Sequence, residues 1–338
     1  MKPIYRYLAF RGLCALVLVI TVLTTVFFVM RILPGDPTLV LGGAKMPESA
    51  RIRMRHELGL DQPVHMQYLS YIFGLFTGNY GTSWWAHENV WNMIVIYFPA
   101  TFELVVAAMF FAIVVGFITG VLAAVRRDTV SDHALRGLTL FGISLPIFWI
   151  ALMLQLIIAV ELGWLPVAGN TDPLFTPHRI TGFMVLDSIL GLNYMALIDS
   201  LKHLIMPAIA LGLYIMAYVS RLTRANLVEA LSQDYIVTAR AKGLPQRMII
   251  YKHALKNAII PVITVTIYQF AWLMGGSVVT EVIFSWPGIG WLYFQAILIR
   301  DFPIIQGVCG FVAIWLGVLL FLMDLLTYHF DPRIRTGW

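Results

Sequence analysis

Residues 100–125 read ATFELVVAAMFFAIVVGFITGVLAAV, and this stretch decides the fold. It carries one charge, Glu103, three positions from its start. A bilayer core takes a helix of about 20 apolar residues, so the stretch reads as a membrane span. Five further stretches meet the same requirement: Ala9–Met30, Gly137–Val160, Leu204–Val219, Ile259–Thr280 and Ile304–Met323. Leu204–Val219 is short at 16 residues and contains Pro207. Within the six, only Arg11 and Glu103 are charged, each near a span end where it can reach water. The whole chain is 59% hydrophobic and 12% charged, half the charge of an ordinary soluble domain, which runs at about 25%. A water-soluble body and a disordered chain are both excluded. The expected class is an all-α integral membrane protein with six transmembrane helices.

Lysine and arginine set the orientation. With the N-terminus inside, inner segments hold 15 basic residues and outer ones 8, so both termini are expected to be cytoplasmic. The apolar run near the N-terminus is too long for a signal peptide and reads as a retained anchor. Residues 1–99 then comprise the first span and a large outer segment, and residues 100–338 a five-span core with an inner loop at 220–258. Cys14 and Cys309 differ in depth by about 15 Å, beyond disulfide reach.

The outer segments carry some order of their own. Arg51, Arg53, Arg55 and His56 form a basic stretch that ends at Gly59 and Pro63. Gln67–Phe76 is an aromatic helix that either lies in the interface or packs as a lid on the span ends. Gly182–Leu201 is half apolar, but Asp187 and Asp199 argue against a span, and it is expected at the outer surface.

The inner loop Ser220–Ala258 holds seven basic and two acidic residues, a net of +5 that equals the charge of the whole protein. Arg224–Lys242 lacks glycine and proline and is expected as one helix, with Leu227, Leu231 and Tyr235 at four-residue spacing. Gly243 is placed as its C-terminal cap, Pro245 follows, and a second helical stretch, Gln246–Ala258, leads into span five. Ala239, Ala241 and Gly243 alternate with Arg240 and Lys242. Such small residues let another surface come close while the cations add charge contacts. A bare linker between two helices fits the same pattern equally well.

Asp234-Tyr235-Ile236-Val237-Thr238-Ala239-Arg240-Ala241-Lys242-Gly243-Leu244, followed by His253-Ala254-Leu255-Lys256-Asn257-Ala258, resembles the coupling loop of bacterial ABC-importer permeases. The closest likeness is to the branch importing peptides and nickel. Val237 stands where the general loop has a glutamate, and Lys256 where it has a proline, as in the peptide branch. Thr280-Glu281-Val282-Ile283-Phe284-Ser285-Trp286-Pro287-Gly288-Ile289-Gly290 is the other specific match. Shorter pieces fall in order along the chain: Pro34-Gly35-Asp36-Pro37, Leu58–Pro63, Phe98–Leu104, Ser144–Trp149, Gly163–Gly169 and Asp331–Arg335. Thr181–Asp187 and the long outer connection look most like a dipeptide permease.

The resemblance implies a type I importer permease fold in the bacterial cytoplasmic (inner) membrane. It implies that Thr238, Ala239, Arg240, Ala241, Lys242 and Gly243 dock into a cleft on an ATPase. The implied partners are a second, homologous permease subunit, two cytoplasmic ATPases that hold ATP and Mg, a soluble substrate-binding protein and membrane lipid. Nucleic acid is not among them. Dipeptides or short peptides are the implied cargo, with nickel or another small solute as the alternative. No pathway residue is singled out.

Other classes fare worse on the residues themselves. An ion-coupled carrier usually needs ionisable groups at mid-membrane, and none is found there. Glu103 and Asp324, near span ends, are expected to serve in a structural hydrogen bond or as an interfacial charge. There is no His-Glu-x-x-His, no Gly-x-Ser-x-Gly and no phosphate-binding Gly-x-x-x-x-Gly-Lys loop, so no catalytic, metal or cofactor site is assigned. Gly116-Phe117-Ile118-Thr119-Gly120 fits a helix-packing motif, either within the chain or at a subunit contact.

Overall fold

The computed structural model describes residues 2–32, 38 and 46–330. The Pro34–Pro37 and Asp331–Arg335 segments that figured in the resemblance lie outside them. Among the described residues all named elements are helical. Five helices are long and apolar enough to cross a membrane, and a sixth span exists if one bent pair is taken as a unit. The chain divides into two compact units, Met1–Pro99 with Gly288–Leu322, and Ala100–Pro287 with Met323–Trp338.

The first unit contains α1 (Lys2–Ile32), α2 (Glu48–Glu57), α3 (Val64–Thr77), the first turns of α4 (Val90–Val125), α12 (Ile289–Ile299) and α13 (Phe302–Phe330) as far as Leu322. The aromatic α3 is a packed element. Leu75 sits in a core with Val19, Leu23 and Ala313, and the Tyr68 hydroxyl meets Thr24 Oγ1 at 2.7 Å. Gly310 makes room for Leu75, since a Cβ there would lie 2.7 Å from it. The outward residues of α3, Leu69, Phe73 and Phe76, stay exposed. Helix α2 buries no residue, and its basic stretch is partly paired: Arg51 Nη2 donates to Glu48 Oε2 at 2.8 Å, and His56 Nδ1 lies 2.7 Å from Asp61 Oδ2. A second core joins Met30, Val90 and Ile94 to Ile289, Leu292 and Ile304. The buried Asp301 carboxylate accepts from Ser83 Oγ at 2.7 Å and the Trp85 amide at 3.0 Å, closing that core with a satisfied charge. Cys14 and Cys309 are both free thiols.

The second unit carries α4 from Ala100, then α5 (Val130–Ser144), α6 (Ile147–Leu154, continued by π-helical Gln155–Glu161), α7 (Met184–Leu190) and α8 (Tyr194–Leu231). After these come α9 (Asp234–Ala241), α10 (Gln246–Gly276, with a π-helical turn at Ile249–Ala254), α11 (Val278–Ile283) and the end of α13.

Three expectations about the spans are corrected here. Span three is two helices, α5 and α6, that meet at 102°. Leu145 is extended, with ψ 134°, because Pro146 sterically excludes the helical conformation from the residue before it. Span four is not short: α8 has 38 residues, about 57 Å of helix. Its ends escape an apolar-run criterion because they hold Asp199, Lys202, Arg221 and Arg224. Asp199 accepts from Thr171 Oγ1 at 3.0 Å and the Asp172 amide at 2.7 Å, so the charge sits comfortably in the helix. Within Gly182–Leu201, the stretch expected at the outer surface, Met184–Leu190 forms α7 and Tyr194–Leu201 is the first part of α8. Span five ends at Gly276, and Thr280 belongs to α11.

Both carboxylates for which a structural hydrogen bond or an interfacial charge was expected make the hydrogen bond. Glu103 accepts from the amides of Met184 at 3.2 Å and Val185 at 2.7 Å, at the start of α7. There the unpaired helix amides favour an anion. Asp324 accepts from the Tyr268 hydroxyl at 2.6 Å. The run Thr280–Trp286 forms a buried hub. Glu281 is inaccessible and accepts from Thr101 Oγ1 at 2.8 Å and Ser277 Oγ at 2.7 Å, while the Trp286 indole donates to the Ala100 carbonyl at 2.9 Å.

Asp187 organises the segment before α7. It is buried, and its oxygens accept from the amides of Ile180, Thr181 and Gly182 and from the Thr181 hydroxyl at 2.6 Å. Burial alone would push its pKa up, but the Thr181 hydroxyl and the three amides outweigh it and hold the carboxyl below the ordinary aspartate value. A folded pKa below the unfolded one contributes stability that is present above pH ~4 and lost as pH falls through the folded value. Amide exchange at residues 180–182, corrected for its intrinsic pH dependence, is expected to stay slow at pH 5 and to accelerate below pH ~4. Unchanged protection at pH 3 would remove this role from Asp187.

Candidate functional site

The expected single helix Arg224–Lys242 is split in two. Helix α8 runs to Leu231, Ser232 still has helical backbone, and Gln233 turns extended, with ψ 152°, before α9 begins at Asp234. The break has a packing cause. In an unbroken helix Leu227, Leu231 and Tyr235 would form one stripe, but in the structure Leu227 and Ile236 are inaccessible while Tyr235 is exposed. The turn at Ser232–Gln233 swings α9 so that Ile236 and Ala239 face inward.

These two side chains anchor α9. They belong to an apolar cluster with Val121 and Ala124 of α4, Leu227 and Ala230 of α8, and Ile249, Ala254 and Ala258 of α10. Burying a side chain the size of isoleucine contributes about 1.5–3 kcal/mol. One short helix is thereby fastened to the ends of three spans.

The end of α9 is fixed by its backbone. The Gly243 amide donates to the Arg240 carbonyl at 2.9 Å and the Leu244 amide to the Ala239 carbonyl at 3.3 Å. This pairing is a Schellman cap, with Gly243 at φ +73° and Leu244 packed against the same cluster as Ala239. Pro245, extended with ψ 144°, is the N-cap of α10 and has no amide to satisfy there.

Of the six residues expected to meet a partner, five face outward: Thr238, Arg240, Ala241, Lys242 and Gly243 are exposed. Ala239 faces the chain's own core and is 7% exposed. Two residues outside that set, Tyr235 and Val237, are exposed beside them, at 38% and 60%. The outer face of α9 is thus two cations, two apolar side chains and a bare glycine apex. The alternation of Ala239, Ala241 and Gly243 with Arg240 and Lys242 signalled part of this, but the inward turn of Ala239 depends on the Ser232–Gln233 break, which no glycine or proline marks.

The excess charge of the loop is also redistributed. Arg221, Arg224 and Glu229 lie in α8, and Arg224 is neutralised. Its Nε and Nη2 donate to Asp132 Oδ1 and Oδ2 at 2.7 and 2.6 Å. Asp132 has no accessible surface and also accepts from the Asp128 amide at 3.1 Å. Ninety-two positions separate the two residues, and nothing local in the sequence pairs them.

Beyond the elbow, the Ser232–Gln233 turn with α9, helices α4 and α8 approach closely. A Cβ on Gly116 would stand 2.5 Å from the Met216 carbonyl oxygen, one on Gly120 2.6 Å from that of Ser220, and one on Gly212 2.5 Å from that of Ala108. The Gly116–Gly120 motif is therefore a contact within the chain. Thr119 Oγ1 donates to Ser220 Oγ across the same seam at 2.9 Å. Gly212 was missed by the sequence reading, although Ala208-x-x-x-Gly212 is a small-residue spacing of the same kind.

Residues 112–336 match the family described as the inner membrane component of binding-protein-dependent transport systems. The chain belongs to this family. Residues 4–105 match the N-terminal region of the membrane components of binding-protein-dependent transport systems. The elbow, the α4–α8 seam and the buried Thr280–Trp286 hub all fall inside the 112–336 match or border it. Among curated members, the chain is 42% identical to the Di/tripeptide transport system permease protein of Pseudomonas aeruginosa, covering 94% of each. It is 42% identical to the Dipeptide transport system permease proteins of Alkalihalophilus pseudofirmus and Escherichia coli, covering 97% and 94% of this chain. Like the other inner membrane components, it is a multi-pass inner-membrane protein and a transport subunit.

Proposed function

We propose that this chain is one permease half of an ATP-driven importer that moves dipeptides or short peptides inward. The observation that carries the reading is the elbow. A short helix is fastened to α4, α8 and α10 by Ile236 and Ala239 and leaves Arg240, Lys242 and the Gly243 apex bare. Relatives that match nearly end to end bear peptide-transport names.

In this reading the elbow docks into a cleft on a cytoplasmic ATPase, through Thr238, Arg240, Ala241, Lys242 and Gly243, with Ala239 holding the helix to its own core. Both chain ends lie on that same side, as the 15-to-8 split of basic residues indicates. The second, homologous permease subunit completes the pathway, two ATPases carry ATP and Mg, and a soluble binding protein delivers peptide to the outer face. When the ATPases close, they push on α9. Because protein interiors are close-packed, displacement of Ile236 and Ala239 is passed to the three spans that enclose them.

Isolation of the tagged chain from its native membrane is expected to bring down a second permease and an ATPase. With the binding protein added, vesicles holding that assembly are expected to take up radiolabelled dialanine when ATP is supplied on the elbow side. Recovery of a lone chain whose uptake follows a proton gradient instead would refute the ATP-driven reading.

A further inference from the structure

The apolar cluster under the elbow draws on α4, α8, α9 and α10, and among the described residues no member comes from α5. At this end of the unit α5 is held by a different device, the bidentate Arg224–Asp132 pair. Arg224 sits one turn before Leu227, whose side chain packs in the cluster that holds Ile236. Asp132 lies in the first turn of α5 and also gathers the Asp128 amide, where the backbone is left-handed at φ +63°. Farther along, α5 runs into the 102° bend, and α6 beyond it shares a core with Met206, Ala210 and Phe284.

Apolar contacts tolerate sliding, because dispersion and burial have little directional preference. A fork of two parallel N–H···O bonds fixes both distance and orientation. A carboxylate with no accessible surface also cannot part from its guanidinium without leaving a charge unpaired away from water. We infer that Arg224 and Asp132 are positioning residues, a clamp that makes α5 move as one body with the elbow, so that a push on α9 reaches the bent pair α5–α6 as well as the three spans in apolar contact. The inference rests on the coupling reading proposed above.

The test uses the complete transporter in lipid nanodiscs, in a background where Cys14 and Cys309 are replaced by serine. Spin labels are placed at Ala134 of α5 and at Ser232 beyond α8, both exposed. Distances are measured by pulsed electron resonance without nucleotide and after trapping with ATP and vanadate. The native clamp is expected to give a single separation that is the same in both states. Arg224→Lys keeps the charge but cannot form the fork, and Asp132→Asn keeps the shape but loses the charge. In either variant a second, separate distance is expected after trapping.

A merely structural pair would lower the amount of folded chain and leave one distance in what remains. The inference is overturned if the native separation shifts on trapping, or if both variants keep the single distance. Gly243→Arg in the same background separates this failure from that of the coupling reading. Retention of the ATPase by that variant would sink the docking proposal, whereas its loss, together with a single distance in both Arg224→Lys and Asp132→Asn, would sink the clamp alone.

Discussion

Replacing any of Gly116, Gly120 or Gly212 by valine is expected to abolish accumulation of the folded chain in the membrane. At all three positions the atom a new Cβ would strike is a backbone carbonyl oxygen, at 2.5 to 2.6 Å. A flexible side chain could swing away, but a carbonyl inside a helix cannot, so α4 and α8 must separate. Overpacking of this kind costs about 1–3 kcal/mol when the structure can adjust and more when it cannot. Typical net stabilities of about 5–15 kcal/mol leave little room for that. Alanine at the same positions should lower the midpoint of thermal unfolding in detergent. Two alanines on facing positions are not expected to add simply, because they share one seam. Gly137→Ala supplies the contrast. Its Cβ would meet open space, and alanine is the better helix former by about 1 kcal/mol, so its midpoint should stay or rise. Equal losses at Gly137 and Gly212 would remove the close approach as the explanation.

Gly243→Arg is expected to leave the chain inserted and folded but without bound ATPase. The new Cβ meets nothing within 4 Å, so the interior is not disturbed. The cost to the chain is conformational: at φ +73° a side chain adds about 1–2 kcal/mol. The loss of binding has another source, a long cation on an apex that a partner must approach closely. Gly243→Ala separates the two effects, since it bears the same backbone cost without the bulk. Its ATPase content should stay near that of the native chain. If alanine and arginine released the ATPase equally, the distortion of the Schellman cap, and not the bare apex, would be responsible.

Much of this architecture could be read from residue order. Apolar runs such as 100–125 locate spans because a bilayer leaves helix as the only economical form for them. The cap at Gly243 and Pro245 was legible because left-handed backbone and a missing amide are properties of single residues. Other features depend on pairing across long distances. Leu204–Val219 looked too short because charged residues cluster on both sides of it, Asp199 and Arg224 among them, yet these two are satisfied within α8 by partners on other segments. The break at Ser232–Gln233 carries no breaker residue and exists because it buries Ile236 with Val121 and Ile249. Pro146 was visible as a residue, but the 102° turn there depends on what α5 and α6 pack against. In the site itself, exposure of Arg240 and Lys242 followed from their charge, while the inward placement of Ala239 needed the structure.

The central claim is that the outer face of α9 meets the ATPase, and photo-crosslinking from that face tests it most directly. A photoreactive phenylalanine analogue is placed at Thr238, which is exposed on α9, and separately at Thr176, which is exposed in the segment between α6 and α7. In native membranes with the complete transporter, Thr238 is expected to yield a product containing the ATPase subunit, and Thr176 none. Crosslinks from Thr238 only to lipid or to the chain itself, or ATPase products from Thr176, would contradict the account.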